Sequence, residues 1–493
     1  MSTFAVVISR IIQGGATLPI TPPAQRDFKN TAIVWKGSRK GTQRINYVGD
    51  DISSIMNIYG SNSEAVKAAQ TFLAGGFLGN SPRELFIANI DSDTTYALAA
   101  GALTYVAANN SFKLDTAGNA ALWTFLQAQA AANQLTAIDM SVKGQTISSA
   151  YLAVSSVDNA EVQIYLAKGD FMSDPKVPID FSAAPYSLAN NDATATGTVS
   201  RDAFADAFAE ILGDSTAYHL ILDNTFTDEQ KRLAIALNEA SGTTHALYVL
   251  DVSHEAKYTQ LGADTTSLLG WAKANNYTKT LVAVDDDTPT DPNATIPADE
   301  YKQASACSYY AQVNWTAASP MGSLAFKSMA GITASNFDNG GIINTTSAFD
   351  NVQSKNGNCY TNFTTVNDVC WYRGVAPSGT QFGDIIAKDY VLYQCDYNLF
   401  YMLRSLPKLP VNQAGANRIE STMAIGLQRL FQAGVIGGGT ADDGESFPST
   451  GFKVFAEVPT GTFKAQGIWE NVVAKALLTG TTTKITYNIQ FKQ

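Results

Sequence analysis

Histidine is almost missing from this chain of 493 residues, which has only His219, His245 and His254. Nucleophilic catalysis usually requires a Ser or Cys beside a histidine base that a third group holds in place, so three histidines leave little material for it. His219 lies inside the apolar stretch AYHLILD and His245 opens HALYVLDVS, so both read as structural residues of strands. His254 follows LYVLDV at the carboxyl end of a predicted strand, where open α/β sheets usually hold ligands. It is the one enzymatic candidate, and neither a G-x-S-x-G turn nor a phosphate-cradling glycine loop accompanies it.

Cysteine is equally scarce. Cys307, Cys359, Cys370 and Cys395 contain no C-x-x-C pair and lack the density of a disulfide scaffold, so reduced thiols are expected. Charged residues make up 16% of the chain, and Lys plus Arg fall short of Asp plus Glu for a net charge of −11. That balance repels phosphate backbones and argues against nucleic-acid binding. The one basic run, KGSRKGTQR at 36–44, reads as a solvated loop. With so few charges, polar surface must come from Ser, Thr, Asn and Gln, which are less costly to desolvate against a partner and lean toward assembly. No 18 apolar residues run together, so no membrane span is expected. The opening MSTFAVVISRIIQGG has no basic segment before its apolar run and does not read as a signal peptide.

Two polar stretches invite chemistry and do not fulfil it. In VDDDTPTDPN, Asp285, Asp286, Asp287 and Asp291 are hard oxygen donors, but Pro289 and Thr290 stand where a calcium loop needs its turn-forming glycine. A solvated acidic loop is expected there, with no metal and no cofactor. GVIGGGTADDGES is glycine-rich, yet it follows a helix and lacks a lysine, which suits a hinge better than a phosphate loop.

What the chain does contain is regular architecture. TAIVWKG (31–37) predicts a buried strand and ELFIANI (84–90) another. Between them, YGSNSEAVKAAQTFLAGG predicts a helix that begins at a Ser61/Glu64 capping box, carries Val66, Ala69, Phe72 and Leu73 as a stripe, and ends at Gly75–Gly76. Strand, helix and strand form a candidate crossover unit. After residue 199 the rhythm resumes, with RDAFADAFAEIL, TDEQKRLAIALNEA opened by Thr227, and TTSLLGWAKANN as helices. AYHLILD, HALYVLDVS and KTLVAVDDD are the strands, apolar throughout as in a sheet covered on both faces. ADEYKQASACSYYAQV predicts a further helix. KDYVLYQCDYNLFYMLRSLPKLP predicts one stopped by Pro407, and NQAGANRIESTMAIGLQRLFQAGVIGGG another, capped by Asn412, striped by Ile419, Met423, Leu427, Leu430 and Phe431 and closed at Gly434.

The fold class expected is α/β and β multi-domain: a central α/β sheet body, an inserted mostly β module and extended strand arms at both ends. The division is 1–20 as the N-terminal arm, 21–97 and 199–390 as the two parts of the body, 98–198 as the inserted module, and 391–493 as a C-terminal domain with a strand arm. The arms are set off by GGATLPITPP and LLTGTTT. In the last arm Ile485, Tyr487, Ile489 and Phe491 alternate with Thr486, Asn488 and Gln490, the pattern of a strand with one buried face. On the residues alone, such a strand either folds back on its own domain or adds to a neighbour's sheet.

The order FAVVIS, then NIYGSNSEAVKAAQTFLAGG leading to PRELFIANI, resembles the front of contractile phage tail sheath proteins. YNLFYMLRSLPKLPVNQAGANRIESTMAIGLQRLFQAGVI is similar to one branch of that family, with its helix, Lys-x-Pro turn and second helix. DNVQSKNGNCYTNF and WYRGVAPSGTQFGD extend the likeness across much of 300–440, while 98–198 matches nothing in it. The resemblance implies a structural, non-enzymatic subunit of stacked six-membered rings around an inner tail tube, with the α/β body facing in and the inserted module facing out. It implies as partners other copies of the chain, the tail tube protein, and baseplate and tail terminator proteins, with no nucleic acid and no membrane insertion. The place implied is the virion tail, with assembly in the host cytoplasm. It also implies arms exchanged between subunits, with Phe4, Val6, Ile8 and Ile12 at one end and Ile485, Tyr487, Ile489 and Phe491 at the other. The alternatives are an α/β enzyme using His254 and the acidic loop, and a surface-layer or adhesin-type structural protein.

Overall fold

The computed structural model describes residues 28–479 apart from 38–43, 50, 76–83, 91–93, 132–135, 167–176, 193–194, 202, 242–244, 265, 286–299, 314–321, 336–346, 363–367, 442, 468 and 470. All eight arm residues named above lie outside the described residues, as do most of the basic run and of the acidic loop. The chain forms two compact units, one from Met1–Asn89 with Ala209–Gln493 and the other from Ile90–Phe208. The architecture is α/β and β with several sheets, as the strand and helix patterning predicts.

The larger unit is built on a six-stranded sheet. Its order is Thr280–Val284, Ala246–Asp251, His219–Leu222, Thr31–Lys36, Leu85–Ile90 and Ile45–Tyr47. The first four run parallel, in registers such as Ile33↔Ile221, His219↔Ala246 and Tyr248↔Leu281. The short Ile45–Tyr47 strand closes the far edge antiparallel to its neighbour. Every residue of Ala246–Asp251, Leu85–Ile90 and Thr280–Val284 is buried, the continuous apolar pattern of strands covered on both faces.

The helix before Leu85–Ile90 starts later than the serine–glutamate spacing predicts. It runs from Glu64 to Ala74, Ser63 is its cap, and the Ser63 side chain accepts from the Val66 backbone N–H. Ser61 belongs instead to the turn after an unanticipated helix, Ile52–Tyr59, which Asp51 caps and which ends at Gly60 with φ of 90°. Glu64 does not reach back; it holds Lys67 at 2.8 Å. The apolar stripe is as expected, since Val66, Ala69 and Phe72 have no exposure at all.

Two further helices are positioned by their caps. Asp228–Ala240 carries the full reciprocal capping box between Thr227 and Gln230. Gln413–Gln432 starts where the Asn412 side chain accepts from the backbone N–H groups of Ala414 and Gly415. Its neighbour Phe382–Ser405 begins earlier than the sequence pattern suggests and stops two residues before Pro407. Gly415 sits where a Cβ would lie 1.9 Å from the Pro410 carbonyl oxygen, so only glycine lets the connecting turn approach the helix this closely.

The smaller unit is an eight-stranded antiparallel sheet with the helix Ala120–Ala131. Thr136–Val142, Gln145–Ser156 and Glu161–Leu166 form its centre, in register through Ile138↔Ala150 and Leu152↔Ile164. Leu122 and Leu126 of the helix join Tyr105, Phe112, Phe181 and Val199 in one apolar core. Gly197 lies in a strand where a Cβ would come within 2.1 Å of the Asp139 carbonyl oxygen, which explains a glycine in mid-strand.

Candidate assembly surface and the carboxylate edge

Parallel sheets hold ligands at the carboxyl ends of their strands, and three aspartates stand at those ends here. Asp223 follows Leu222, Asp251 ends its strand and Asp285 follows Val284. Each is occupied by the protein's own groups. Asp251 accepts from the Ser253 backbone N–H at 2.9 Å, the Ser253 hydroxyl at 2.6 Å and the Leu269 backbone N–H at 2.7 Å, and so holds the start of the helix Leu268–Ala274 against the end of its strand. Its burial pushes its acid strength down, raising its pKa, although those donors pull the other way. Asp285 receives the buried Lys302 ammonium, which also donates to the Ser335 hydroxyl at 2.8 Å. Asp223 accepts from the Thr225 and Lys36 backbone N–H groups and lies 3.0 Å from the Tyr301 hydroxyl.

Two of the histidines, His219 and His245, are placed just as tightly. His219 is buried, with Nε2 2.9 Å from the Phe28 carbonyl oxygen and Nδ1 2.9 Å from the Tyr248 hydroxyl. That geometry suits a neutral ring donating from Nε2 and accepting at Nδ1. His245 has each ring nitrogen 3.0 Å from a carbonyl oxygen, those of Ala217 and Leu212. His254 is the first residue of the short helix His254–Tyr258. Of the four cysteines none forms a disulfide, and burial pushes the Cys359 and Cys395 thiols up to about 12, far from the thiolate that reacts or binds metal. Among the described residues no cluster of three or more His, Cys, Asp or Glu could hold a metal ion, and no helix is long and apolar enough to cross a membrane. An open groove of about 530 Å³ lies beside the two front helices, where Met56, Asn62, Lys67, Gln70 and Glu300 line it.

A different kind of surface lies near the end of the larger unit. Phe452–Ala456 and Val472–Ala476 make an antiparallel sheet of two strands, with Lys453 opposite Lys475 and Phe455 opposite Val473. Like charges directly opposite repel, and Glu445 relieves them by accepting from Lys453 at 3.0 Å and Lys475 at 2.7 Å. On the same face Phe455 is 58% and Val473 46% exposed. The other face packs toward the helix Gln413–Gln432, and there the buried Ala456 donates its backbone N–H to Glu420 at 2.8 Å. Among the described residues each of these strands has one strand neighbour. An isolated pair of strands is marginal in water, so this sheet relies on the helix beneath it. Sequence reasoning passes over it, although the alternation in FKVFA is there to be seen.

No family model matches the chain, and no curated protein does. The fold is similar to that of the sheath tail protein Lin1278 from Listeria innocua, with 10% identity and a TM-score of 0.42 over 96% of this chain and 99% of that one. It is also similar to a chain of the anti-feeding prophage baseplate, with 14% identity and a TM-score of 0.40 over 59% of this chain and 73% of that one.

Proposed function

We propose that this chain is a structural subunit of a contractile phage tail sheath, polymerising as stacked hexameric rings around the tail tube and shortening to drive the tube through the host envelope. The reading rests on the resemblance of the quoted motifs, and one structural observation supports it most directly: the two-stranded sheet Phe452–Ala456/Val472–Ala476 with Phe455 and Val473 in solvent. A strand added beside Val472–Ala476 extends the ladder, and its alternate apolar side chains cover Phe455 and Val473. The terminal sequence supplies such strands. Ile485, Tyr487, Ile489 and Phe491 at one end and Phe4, Val6, Ile8 and Ile12 at the other are the proposed joints with neighbouring subunits.

The energetics follow without a cofactor. At roughly 25 cal/mol per Å² of apolar surface, with about 1 kcal/mol for each net hydrogen bond, one added strand is worth a few kcal/mol. Summed over the subunits of a tail, a change that increases subunit contact can power a stroke with nothing hydrolysed. The tube, baseplate and tail terminator proteins are the partners of this reading, the virion tail its location, and the host cytoplasm the site of assembly.

The test is truncation. Removal of residues 1–14 or 483–493 leaves a folded chain, by circular dichroism and thermal melting, that forms no striated tubes in negative-stain micrographs. Tubes of normal length from either truncated chain would overturn the arm mechanism. Flat lattices from the full chain would favour a surface-layer protein.

A further inference from the structure

We propose that Glu64, Tyr301 and Asp223 share a buried proton, lodged on Asp223. The three come from separate parts of the larger unit: Glu64 opens the helix Glu64–Ala74, Asp223 follows the strand His219–Leu222, and Tyr301 precedes the helix Lys302–Ala311. The Tyr301 hydroxyl is 2.7 Å from one Glu64 oxygen and 3.0 Å from one Asp223 oxygen. A phenol has one hydrogen to donate. If both carboxyl groups were ionised, one of them would press an anionic oxygen against the tyrosine's lone pairs at hydrogen-bond distance. A proton on one carboxyl group turns that repulsion into a second hydrogen bond, giving a chain of acid to phenol to carboxylate.

Its place follows from the surroundings. Glu64 is a quarter exposed and paired with the Lys67 ammonium at 2.8 Å. Asp223 is 1% exposed, and the donors to it among the described residues are neutral, among them the Thr225 N–H at 2.9 Å, the Lys36 N–H at 3.3 Å and the Tyr301 hydroxyl. Other charges nearby are committed elsewhere. Glu300 accepts from the Thr333 N–H at 3.0 Å, and Lys302 is held by Asp285, with Glu300 at 3.8 Å. Burial accordingly raises the Asp223 pKa against the pull of its hydrogen bonds, and Tyr301 is pushed far above the usual range for a phenol, first by burial and then by the two carboxylates. The result is an acid-favoured latch between the helix Glu64–Ala74, the sheet and the helix Lys302–Ala311.

The sign is fixed by linkage. A carboxyl group whose folded value is raised binds a proton in the folded state that the unfolded chain releases, so its stabilisation is complete below about pH 3.8 and fades as pH rises through the folded value. The experiment compares the full chain with Asp223→Asn and Glu64→Gln from about pH 4.5 to about pH 7.5, using hydrogen exchange of amides in His219–Leu222 and Glu64–Ala74. Asn keeps a donor toward Tyr301 but cannot titrate; its loss of the Thr225 bond shifts protection by a constant factor. Within the window between the two pKa values, protection in the wild type relative to Asp223→Asn gains about tenfold for each unit that pH falls, and Glu64→Gln, whose amide can donate to the Tyr301 oxygen and free the phenol hydrogen for an ionised Asp223, weakens that dependence. An infrared band of a protonated carboxyl group present in the wild type is lost in Asp223→Asn. A ratio that does not change with pH, or a dependence that persists in Asp223→Asn, overturns the proposal.

Discussion

Lys355 and Asp264 form an ion pair with no exposed side-chain surface on either partner, and they offer a sharp test of how the larger unit is held together. The Lys355 ammonium donates to Asp264 at 2.6 Å, to the Glu255 carbonyl oxygen at 2.8 Å and to the Thr259 carbonyl oxygen at 2.9 Å. All three of its hydrogens are therefore used. Asp264 in turn accepts from the Ser267 backbone N–H at 2.9 Å and from the Ser267 hydroxyl, and this hydroxyl caps the helix Leu268–Ala274 at the Gly270 N–H. One pair thus ties the turn after Ser347–Ser354 to two other helices. Burial alone would raise the Asp264 pKa, but the hydrogen bonds of Lys355 and Ser267 outweigh it and hold the carboxyl below its usual value. Lys355→Met strands a buried carboxylate and two carbonyl oxygens, which costs about 3–5 kcal/mol. Asp264→Asn strands the ammonium at a similar cost, and the double variant recovers about 0.5–3 kcal/mol through coupling. Because a two-unit chain need not unfold in one step, the assay is amide exchange in 254–274 and 347–355 alongside denaturant unfolding. A loss below about 1 kcal/mol for Lys355→Met, the size of an exposed pair, would refute the reasoning. The depressed Asp264 pKa also fixes the pH sign, since its contribution is present above about pH 3.8 and lost as pH falls through the folded value.

Gly270→Ala places a Cβ 2.6 Å from the Asp264 carboxyl carbon and should lower the melting temperature together with exchange protection in 254–274. Phe72→Ala empties a fully buried site on the helix Glu64–Ala74 and should cost about 3–5 kcal/mol in denaturant unfolding. Asn412→Ala removes the cap of Gln413–Gln432 and should cost about 1 kcal/mol, read as faster exchange in the first turn of that helix. Asp396, raised by burial to about 6, favours the folded state most when protonated, so stability there falls as pH rises through about 6. Asp396→Asn should flatten that part of the pH–stability curve.

What was legible in the sequence was what short-range physics decides. Asn412 announces its helix because cap, first turn and stripe lie within one stretch of chain, and Ile419, Met423, Leu427 and Leu430 are buried as their spacing demands. The same local logic misplaced the front helix by two residues, for SNS offers two serines as caps. Ser63 prevails because Gly60 has already ended the helix Ile52–Tyr59, with Ser61 left in the turn between. The strands of the parallel sheet were legible as apolar runs, but their order was not. Nothing local says that Thr31–Lys36 lies between His219–Leu222 and Leu85–Ile90.

The least legible features are the polar ones, and this bears on function. Asp223, Asp251 and Asp285 look alike in sequence, each an acid after an apolar run, and each has a different partner brought from elsewhere: Tyr301, Leu269 and Lys302. Lys355 finds Asp264 from 91 residues away. An acid at a strand end is a ligand candidate only until its partners are known, because a carboxylate whose lone pairs are already filled must lose those bonds before it can hold anything else. Phe455 and Val473 present the opposite case. They stand 58% and 46% exposed, side by side on a two-stranded sheet, with apolar surface turned to solvent. The proposed strand addition draws on that surface, whereas the three aspartates at the carboxyl edge of the parallel sheet already hold groups of this chain.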